Sequence, residues 1–227
     1  MNYFAHALPF LDDPYFVAGT AVPDWLNVVD RKVRVRGKNA RGFVEDADQR
    51  VAAVARGVVQ HHHDDGWFHT TEAFAALSWR FTAAARDVLT PDDGLRPSFL
   101  GHILVEILLD STLIEDDPRR LDEYYRVVGG VDERLVADAV NHMAPRPAAR
   151  LAEFVELFCR ARFLYDYPDD EKLLRRLNQV IERVKLPALP AAFRAILPAA
   201  RRDVRQAKHE LLSPDGRPDS AASRRTA

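Results

Sequence analysis

The chain of 227 residues has few features of a secreted, membrane-bound or nucleic-acid-binding protein. Its single cysteine, Cys159, excludes a disulfide within the chain, which is usual for reducing compartments. Lys and Arg number 32 against 34 Asp and Glu, so the chain lacks the positive excess that favours nucleic acid or anionic membranes. It also lacks the basic start of a signal peptide and any uninterrupted apolar run of the roughly 18–20 residues that cross a bilayer. We therefore expect a cytoplasmic protein with no nucleic-acid or membrane partner.

Sequence patterns typical of β-strands are also rare in this chain. Apolar residues recur every three or four positions along most of the chain, which is the period of amphipathic helices. The best alternating stretch, Lys32–Arg36, is short. With 47% hydrophobic residues, the chain can bury a sizeable core. The sequence predicts an all-α, single-domain helical bundle over residues 1–212, followed by a disordered tail at 213–227.

Helical periodicity gives definite bounds to several segments. The predicted helices are Asp48–Gln60, Phe74–Leu89, Ser98–Ile114, Arg119–Val128, Asp132–Met143, Ala148–Tyr165, Asp169–Val184 and Pro190–Leu212. Ser98–Ile114 is nearly apolar and is expected to be the central buried helix of the bundle. Pro23 followed by Asp24 indicates the start of a further helix, because proline is favoured in a first helical turn.

Two short segments concentrate histidine and carboxylate side chains. In the first, His61, Asp65 and His69 are spaced by four residues, so a helical conformation would place them on one face. In the second, His102, Glu106 and Asp110 have the same spacing within the apolar helix. Ionisable groups on a buried helix face are costly unless they are paired or bound to a cation. The pattern therefore predicts a metal site to which both helices contribute.

The donor types narrow the choice of ion. Imidazole nitrogen and carboxylate oxygen suit zinc, manganese, iron or nickel, and the absence of thiolate argues against a structural zinc site. We expect one or two divalent ions of manganese, zinc or iron. His6 and Asp24 could complete the ligand set with His61, Asp65, His102 and Glu106. Taken singly, His6 could also be an ordinary half-buried histidine, and Asp24 could simply stabilise a helix start.

Six basic residues, which we call the basic segment, fall within eleven positions that contain no acid: Arg31, Lys32, Arg34, Arg36, Lys38 and Arg41. One interpretation is a solvated loop. The other is a docking surface for an anionic substrate or partner, with Arg31, Lys32, Arg34 and Arg36 as candidate binding residues.

The order of these motifs resembles that of the acyl-carrier-protein phosphodiesterases, a branch of the helical HD-type metal phosphohydrolases. The resemblance covers residues 1 to about 115. It includes the N-terminal sequence ending in His6, an early helix with Gly19 and Asp24, the motif His61-x-x-x-Asp65, and Gly101-His102 with acidic groups four and eight residues later. It implies an HD-domain-like fold and metal bound by His6, Asp24, His61, Asp65 and His102.

The same resemblance implies hydrolysis of the phosphodiester that joins phosphopantetheine to a serine of acyl carrier protein, an acidic partner. Asp65 would bridge metals or orient the nucleophile, and His69 or His62 could donate a proton to the leaving oxygen. Two alternatives stay open. One is a zinc-dependent phospholipase C-like hydrolase, and the other is a non-catalytic helical binding or scaffold protein with a degenerate metal site.

Overall fold

The structure, a computed structural model, describes residues 1–90 and 94–213. Within these ranges every regular element is a helix and no strand occurs, which confirms the all-α prediction. The α-helices are α1 Tyr3–Ala7, α2 Pro14–Val29, α3 Gly37–Ala40, α4 Gln49–Phe68, α5 Glu72–Val88, α6 Pro97–Asp116, α7 Pro118–Val128, α8 Glu133–Met143, α9 Leu151–Ala161, α10 Asp170–Arg183 and α11 Leu197–Leu211. Residues 214–227 of the predicted tail lie outside the described residues.

Local chemistry explains where five of these helices begin. A side-chain oxygen at the N-cap accepts a hydrogen bond from a backbone N–H in the first turn, which satisfies a donor that the helix itself cannot pair. The caps are Asp13 for α2, Thr71 for α5, Asp117 for α7, Asp132 for α8 and Asp169 for α10.

Three predicted helices have a boundary that differs from the structure by more than two residues. The helix predicted over Ala148–Tyr165 ends at Ala161, because Arg162 adopts the left-handed conformation with φ 43°. The segment predicted to begin at Pro190 starts with a 3-10 turn, Ala191–Ile196, before α11. The helix predicted to end at Gln60 continues to Phe68, so His61 and Asp65 are helical and His69 follows the helix directly.

Pro23 does not start a helix; it lies in the interior of α2. Proline lacks the N–H that would bond the carbonyl four residues earlier, so it weakens the helical hydrogen-bond ladder at that point. The true start of α2 is Pro14, which follows the N-cap Asp13, whose side chain accepts the Phe16 N–H at 3.1 Å. A proline after a capping aspartate is the stronger start signal, and the sequence interpretation missed it.

The chain divides into two compact units. The first unit comprises Met1–Asp65 and Leu113–Tyr165, and the second comprises Gly66–Thr112 and Asp166–Ala227. The prediction of a single domain over residues 1–212 remains a prediction.

In the first unit, aromatic side chains from three helices pack around Phe158 of α9. The ring centroids of Tyr3, Trp25 and Tyr124 lie 5.1, 5.4 and 6.4 Å from that of Phe158. Phe158, Trp25 and Tyr124 are almost completely buried. Such aromatic contacts add to the free energy gained from burying apolar surface. This core holds α2, which contributes to the candidate site.

Two glycines bring the backbones of α2 and α4 into direct contact. A Cβ atom built on Gly57 would lie 2.1 Å from the Phe16 carbonyl oxygen, and one on Gly19 would lie 2.3 Å from the Val54 carbonyl oxygen. Only glycine permits so close an approach of two helices. The contact places Thr20, next to Gly19, beside His61, one turn beyond Gly57.

In the second unit, α5 and α11 pack together, and a similar glycine lies at the start of α6. A Cβ atom on Gly101 would lie 2.4 Å from both the Ser78 carbonyl oxygen and Oγ1 of Thr82 on α5. Arg201 of α11 donates to Asp170 at 2.6 Å and to Ser111 at 2.5 Å. These contacts fix the part of α6 that carries His102 and Glu106.

Among the described residues, α6 is the one helix long and apolar enough to cross a membrane, judged by length and composition alone. The most apolar 18 residues of α6 have a mean hydropathy of 1.4, and 61% of that stretch is buried inside the protein. A core helix of a soluble protein passes the same test, so the burial favours a soluble protein.

Candidate metal centre

His6 of α1 and His61 and Asp65 of α4 form the first donor group, which lies in the first unit. One ligand atom from each lies within 4.8 Å of the others. His61 and Asp65 share a face because they are four residues apart on α4. The two imidazole rings stack with centroids 4.2 Å apart. The fold thus joins His6 to the predicted His61–Asp65 pair.

The Nδ1 atoms of both histidines are held by neighbouring groups. Nδ1 of His61 donates to the Thr20 carbonyl oxygen at 2.8 Å, and Nδ1 of His6 lies 3.3 Å from Oδ2 of Asp64. Asp64 is itself held by Gln60, whose Nε2 donates to Oδ1 at 2.8 Å. When Nδ1 of a neutral histidine carries the proton, Nε2 keeps its lone pair and can bind a metal.

The Nε2 atoms of both histidines converge on the carboxylate of Asp65. His6 Nε2 lies 3.3 Å from Oδ1, and His61 Nε2 lies 3.3 Å from Oδ2. Two donors that are each about 2.1 Å from a tetrahedral zinc ion lie about 3.4 Å apart. Within the described residues, His6 Nε2 is buried, and its contact with Oδ1 of Asp65 lacks the geometry of a hydrogen bond. Because buried polar atoms are normally paired, both observations fit a cation shared by the three side chains.

The electrostatics of the first donor group stabilise an ionised carboxylate. Burial on its own raises the pKa of Asp65, but the imidazoles of His6 and His61 hold that pKa far below its ordinary value. Burial on its own lowers the pKa of His6, yet the carboxylates of Asp64 and Asp65 outweigh it and the pKa is raised. The group therefore offers the negative charge that a divalent cation requires.

Solvent reaches the first donor group at Asp65. The side chains of His6 and His61 are 0% and 4% exposed, whereas that of Asp65 is 30% exposed. The amino group of Met1 donates to Oδ1 of Asp65 at 2.7 Å. A small ligand from solvent would therefore approach the group over Asp65.

His69, His102 and Glu106 form a second donor group, which lies in the second unit. His69 Nε2 is 2.8 Å from Oε1 of Glu106, and His102 Nε2 is 3.3 Å from the same oxygen. Burial raises the pKa of Glu106, but the hydrogen bonds from His102 and His69 lower it to about 2. Like Asp65, Glu106 is thus an ionised carboxylate between two imidazoles.

No family model, no curated protein and no solved structure matches the chain. What the site can do is therefore inferred from its own donor atoms and their surroundings.

The predicted ligands thus fall into two donor groups. His61 and Asp65 belong to the first, and His102 and Glu106 belong to the second, where part of their helix face is exposed to solvent. Among the described residues, Asp24 of α2 is in neither group, and its role as a ligand stays a prediction.

The two predicted proton donors are engaged in other contacts. Nε2 of His62 lies 2.8 Å from the Val35 carbonyl oxygen, and Nε2 of His69 is bonded to Glu106. Their catalytic roles stay predictions. The contact of His62 has a clear structural consequence, because it ties α4 to the basic segment beside His61.

Residues 33–36 of the basic segment form no strand, and Lys38 lies in the short helix α3. Apolar and basic residues alternate along these positions. Val33 and Val35 are buried, at 1% and 2% exposed, whereas the basic side chains are exposed. Arg146 holds the segment by donating to the Lys32 carbonyl oxygen at 2.6 Å. Arg34 donates to Asn27 at 3.0 Å. An exposed positive surface is thus attached to the helix that carries the first donor group.

Sequence interpretation missed the groups that orient the ligands, namely Asp64 and the Thr20 carbonyl. For Asp64 a signal existed, since Gln60 and Asp64 are four residues apart and can bond on one helix face. For Thr20 no sequence signal exists, because the acceptor is a backbone atom brought close by tertiary packing.

Proposed function

We propose that the protein is a metal-dependent phosphoric ester hydrolase with an HD-domain-like site. We propose further that it is a cytoplasmic phosphodiesterase resembling acyl-carrier-protein phosphodiesterase, which would release phosphopantetheine from the carrier. The observation that supports this most is the convergence of His6 and His61 Nε2 on the two oxygens of Asp65, at 3.3 Å each. Histidine and aspartate are the usual ligands of hydrolytic divalent ions.

His6, His61 and Asp65 would hold the ion. When bound, a divalent cation lowers the pKa of water and polarises phosphoryl oxygens. The Thr20 carbonyl and Asp64 orient the two imidazoles, so little reorganisation is needed on binding. The exposed edge of Asp65 is the place where a substrate phosphate and a water molecule could meet.

The basic segment would bind the anionic side of the substrate. Lys32 and Arg36 are exposed, and the contact of His62 with Val35 holds the segment next to His61. Acyl carrier protein is acidic, so long-range attraction would speed its encounter with this surface. The charges of the segment therefore favour a carrier protein over a neutral substrate.

Elemental analysis combined with a hydrolysis assay tests the proposal. The full-length chain is assayed after isolation, after treatment with a chelator, and after addition of Mn²⁺ or Zn²⁺. The substrates are acyl carrier protein with its phosphopantetheine arm, bis(4-nitrophenyl) phosphate, and phosphatidylcholine vesicles. Asp65→Asn is compared with Asp138→Asn, which makes the same change at an exposed position of α8.

We expect the metal-loaded protein to release phosphopantetheine, and Asp65→Asn or the chelator to slow that release at least about 100-fold. Asp138→Asn should match the wild type. Metal-loaded protein that hydrolyses none of the substrates contradicts the proposal and supports the scaffold alternative. Hydrolysis of phosphatidylcholine alone contradicts the carrier substrate and supports a phospholipase C-like enzyme.

A further inference from the structure

The second donor group contains a complete set of metal ligands of its own. His102 and Glu106 are one turn apart on α6, and His69 follows the last residue of α4. The three ligand atoms lie within 4.8 Å of one another. The proposed function uses only the first donor group, so the second has no role in it.

The turn after α4 holds His69 in place. Oγ1 of Thr70 donates to the Trp67 carbonyl oxygen at 2.7 Å, and Oγ1 of Thr71 donates to the Phe68 carbonyl oxygen at 2.9 Å. These bonds satisfy carbonyl groups at the end of the helix, where intrahelical donors run out. The backbone of His69 is therefore fixed before any ligand binds.

Phe74 fixes the two imidazole rings. Its ring centroid lies 4.8 Å from that of His69 and 4.9 Å from that of His102. Phe74 is in turn placed by Thr71, whose Oγ1 accepts its backbone N–H at 3.2 Å. Gly101 packs against α5 one residue before His102. The ligand geometry is thus built by packing, which is a requirement for a specific metal site.

The ligands are accessible as well as ordered. The side chains of His69, His102 and Glu106 are 30%, 44% and 18% exposed. His102 Nε2 lies 3.3 Å from Oε1 of Glu106, near the separation of about 3.4 Å expected for two donors on a tetrahedral ion. Two histidines and a glutamate with solvent on one side resemble sites in which an ion keeps positions for water or substrate.

We propose that His69, His102 and Glu106 bind a second divalent transition-metal ion. The set of two imidazoles and one carboxylate favours Zn²⁺ or a similar first-row ion over Ca²⁺ or Mg²⁺, which prefer oxygen ligands. The partly exposed ligands leave the ion accessible to an anion or to water. This inference does not depend on the proposed function.

The competing explanation is a hydrogen-bonded ion pair in which protonated His69 neutralises Glu106. The 2.8 Å distance between them suits that arrangement. In that arrangement His102, which lies 3.3 Å from the same oxygen and is also fixed by Phe74, would be a second partner of Glu106. Metal binding and a simple ion pair differ in the number of ions that the chain retains.

Equilibrium dialysis of the chelator-treated full chain against Zn²⁺, followed by elemental analysis, tests the proposal. The variants are His102→Ala, Glu106→Gln and Asp65→Asn, and the controls are His209→Ala and His63→Ala at exposed positions. Co²⁺ absorption spectra recorded at one and at two equivalents provide a second readout that needs no variant.

We expect the wild type and both controls to retain two ions per chain. His102→Ala, Glu106→Gln and Asp65→Asn should each retain one, and the Asp65→Asn/Glu106→Gln double variant none. The second site is overturned if the wild type retains one ion and Glu106→Gln retains the same number. Loss of the second ion in His63→Ala also overturns it. An unchanged count in Asp65→Asn instead overturns the proposed function, so the two failures are distinguishable.

If His102→Ala fails to fold, Glu106→Gln and the wild-type Co²⁺ spectra decide the question. Distinct spectral changes at the first and the second equivalent support two different sites. A spectrum that stops changing after one equivalent contradicts the inference.

Discussion

The backbone carbonyl of Thr20 accepts a hydrogen bond of 2.8 Å from Nδ1 of His61. The bond joins α2 to α4 and leaves Nε2 of His61 directed at Asp65. It depends on the close approach of the two helices at Gly19 and Gly57. The orientation of a candidate metal ligand is therefore coupled to helix packing, and this coupling leads to the first prediction.

Gly57→Ala should lower both stability and metal binding. The added Cβ would lie 2.1 Å from the Phe16 carbonyl oxygen, so α2 and α4 must separate. We expect a loss of about 1–3 kcal/mol in the free energy of unfolding, because the new Cβ meets a backbone oxygen and not a flexible side chain that could move aside. Urea unfolding and elemental analysis would measure the two effects.

Gly66→Ala is the matched control, since it lies on the same helix and its Cβ would meet nothing within 4 Å. Alanine is the better helix former, so this change should stabilise the protein by about 0.5–1 kcal/mol. If Gly57→Ala and Gly66→Ala changed the free energy of unfolding in the same direction, the result would contradict the role assigned to the contact of α2 with α4.

Asp64→Asn should weaken metal binding without unfolding the protein. Asp64 lies 3.3 Å from Nδ1 of His6 and accepts from Gln60, so its charge orients and polarises that imidazole. Loss of such an outer carboxylate typically lowers metal affinity about 10–100-fold. Isothermal titration with Zn²⁺ would measure the change.

His63→Ala is the control for this variant, because His63 is the neighbouring residue on α4 and is exposed. Its dissociation constant for Zn²⁺ should equal that of the wild type. Equal affinities in Asp64→Asn and His63→Ala would show that Asp64 does not act through His6.

Lys32→Ala with Arg36→Ala should raise KM for acyl carrier protein about 10-fold at low salt and leave kcat unchanged. The two side chains are exposed and attract an acidic partner through long-range charge, which salt screens. The KM for bis(4-nitrophenyl) phosphate should not change, because that diester is too small to contact the whole segment. Steady-state kinetics at two ionic strengths would separate these effects.

Arg202→Ala provides the comparison, as it removes an exposed positive charge from α11. It should leave both KM values unchanged. A similar rise in KM in Arg202→Ala would indicate a nonspecific effect of net charge.

Cys159 should react slowly with alkylating reagents in the folded protein. Burial raises the pKa of its thiol to about 11, and the carboxylate of Glu133 adds to the effect. Only the thiolate reacts, and a raised pKa reduces the thiolate fraction at pH 8, so alkylation should be about 100-fold slower than in the unfolded chain. The rate should rise with pH up to about 11.

Iodoacetamide labelling followed by mass spectrometry, with and without 8 M urea, would measure this difference. The chain has one cysteine, so a single adduct reports the site without ambiguity. Equal rates under the two conditions at pH 8 would contradict the protected state of the thiol.

Several features were predictable from the sequence because they depend on residues close in the chain. The period of apolar positions predicted helices, and the structure confirmed an all-α fold over the residues it describes. The spacing of four residues placed His61 with Asp65, and His102 with Glu106, on shared helix faces. The prediction that a helix starts at Pro23 and Asp24 was wrong, because a proline–aspartate pair typical of helix starts can also lie inside a longer helix.

The separation of the predicted ligands into two donor groups was decided by tertiary structure alone. Helical periodicity sets which side chains share a face, but it does not set which faces meet, because that depends on packing between segments distant in the chain. Contact of α2 with α4 through two glycines brought the Thr20 carbonyl oxygen to His61, and the fold also brought His6, which is distant in the chain, to the same histidine. The sequence by itself thus determined the helices and the ligand pairs within each helix. Only the fold, by burying apolar faces against each other, decided which pairs gained a third ligand and which groups orient them.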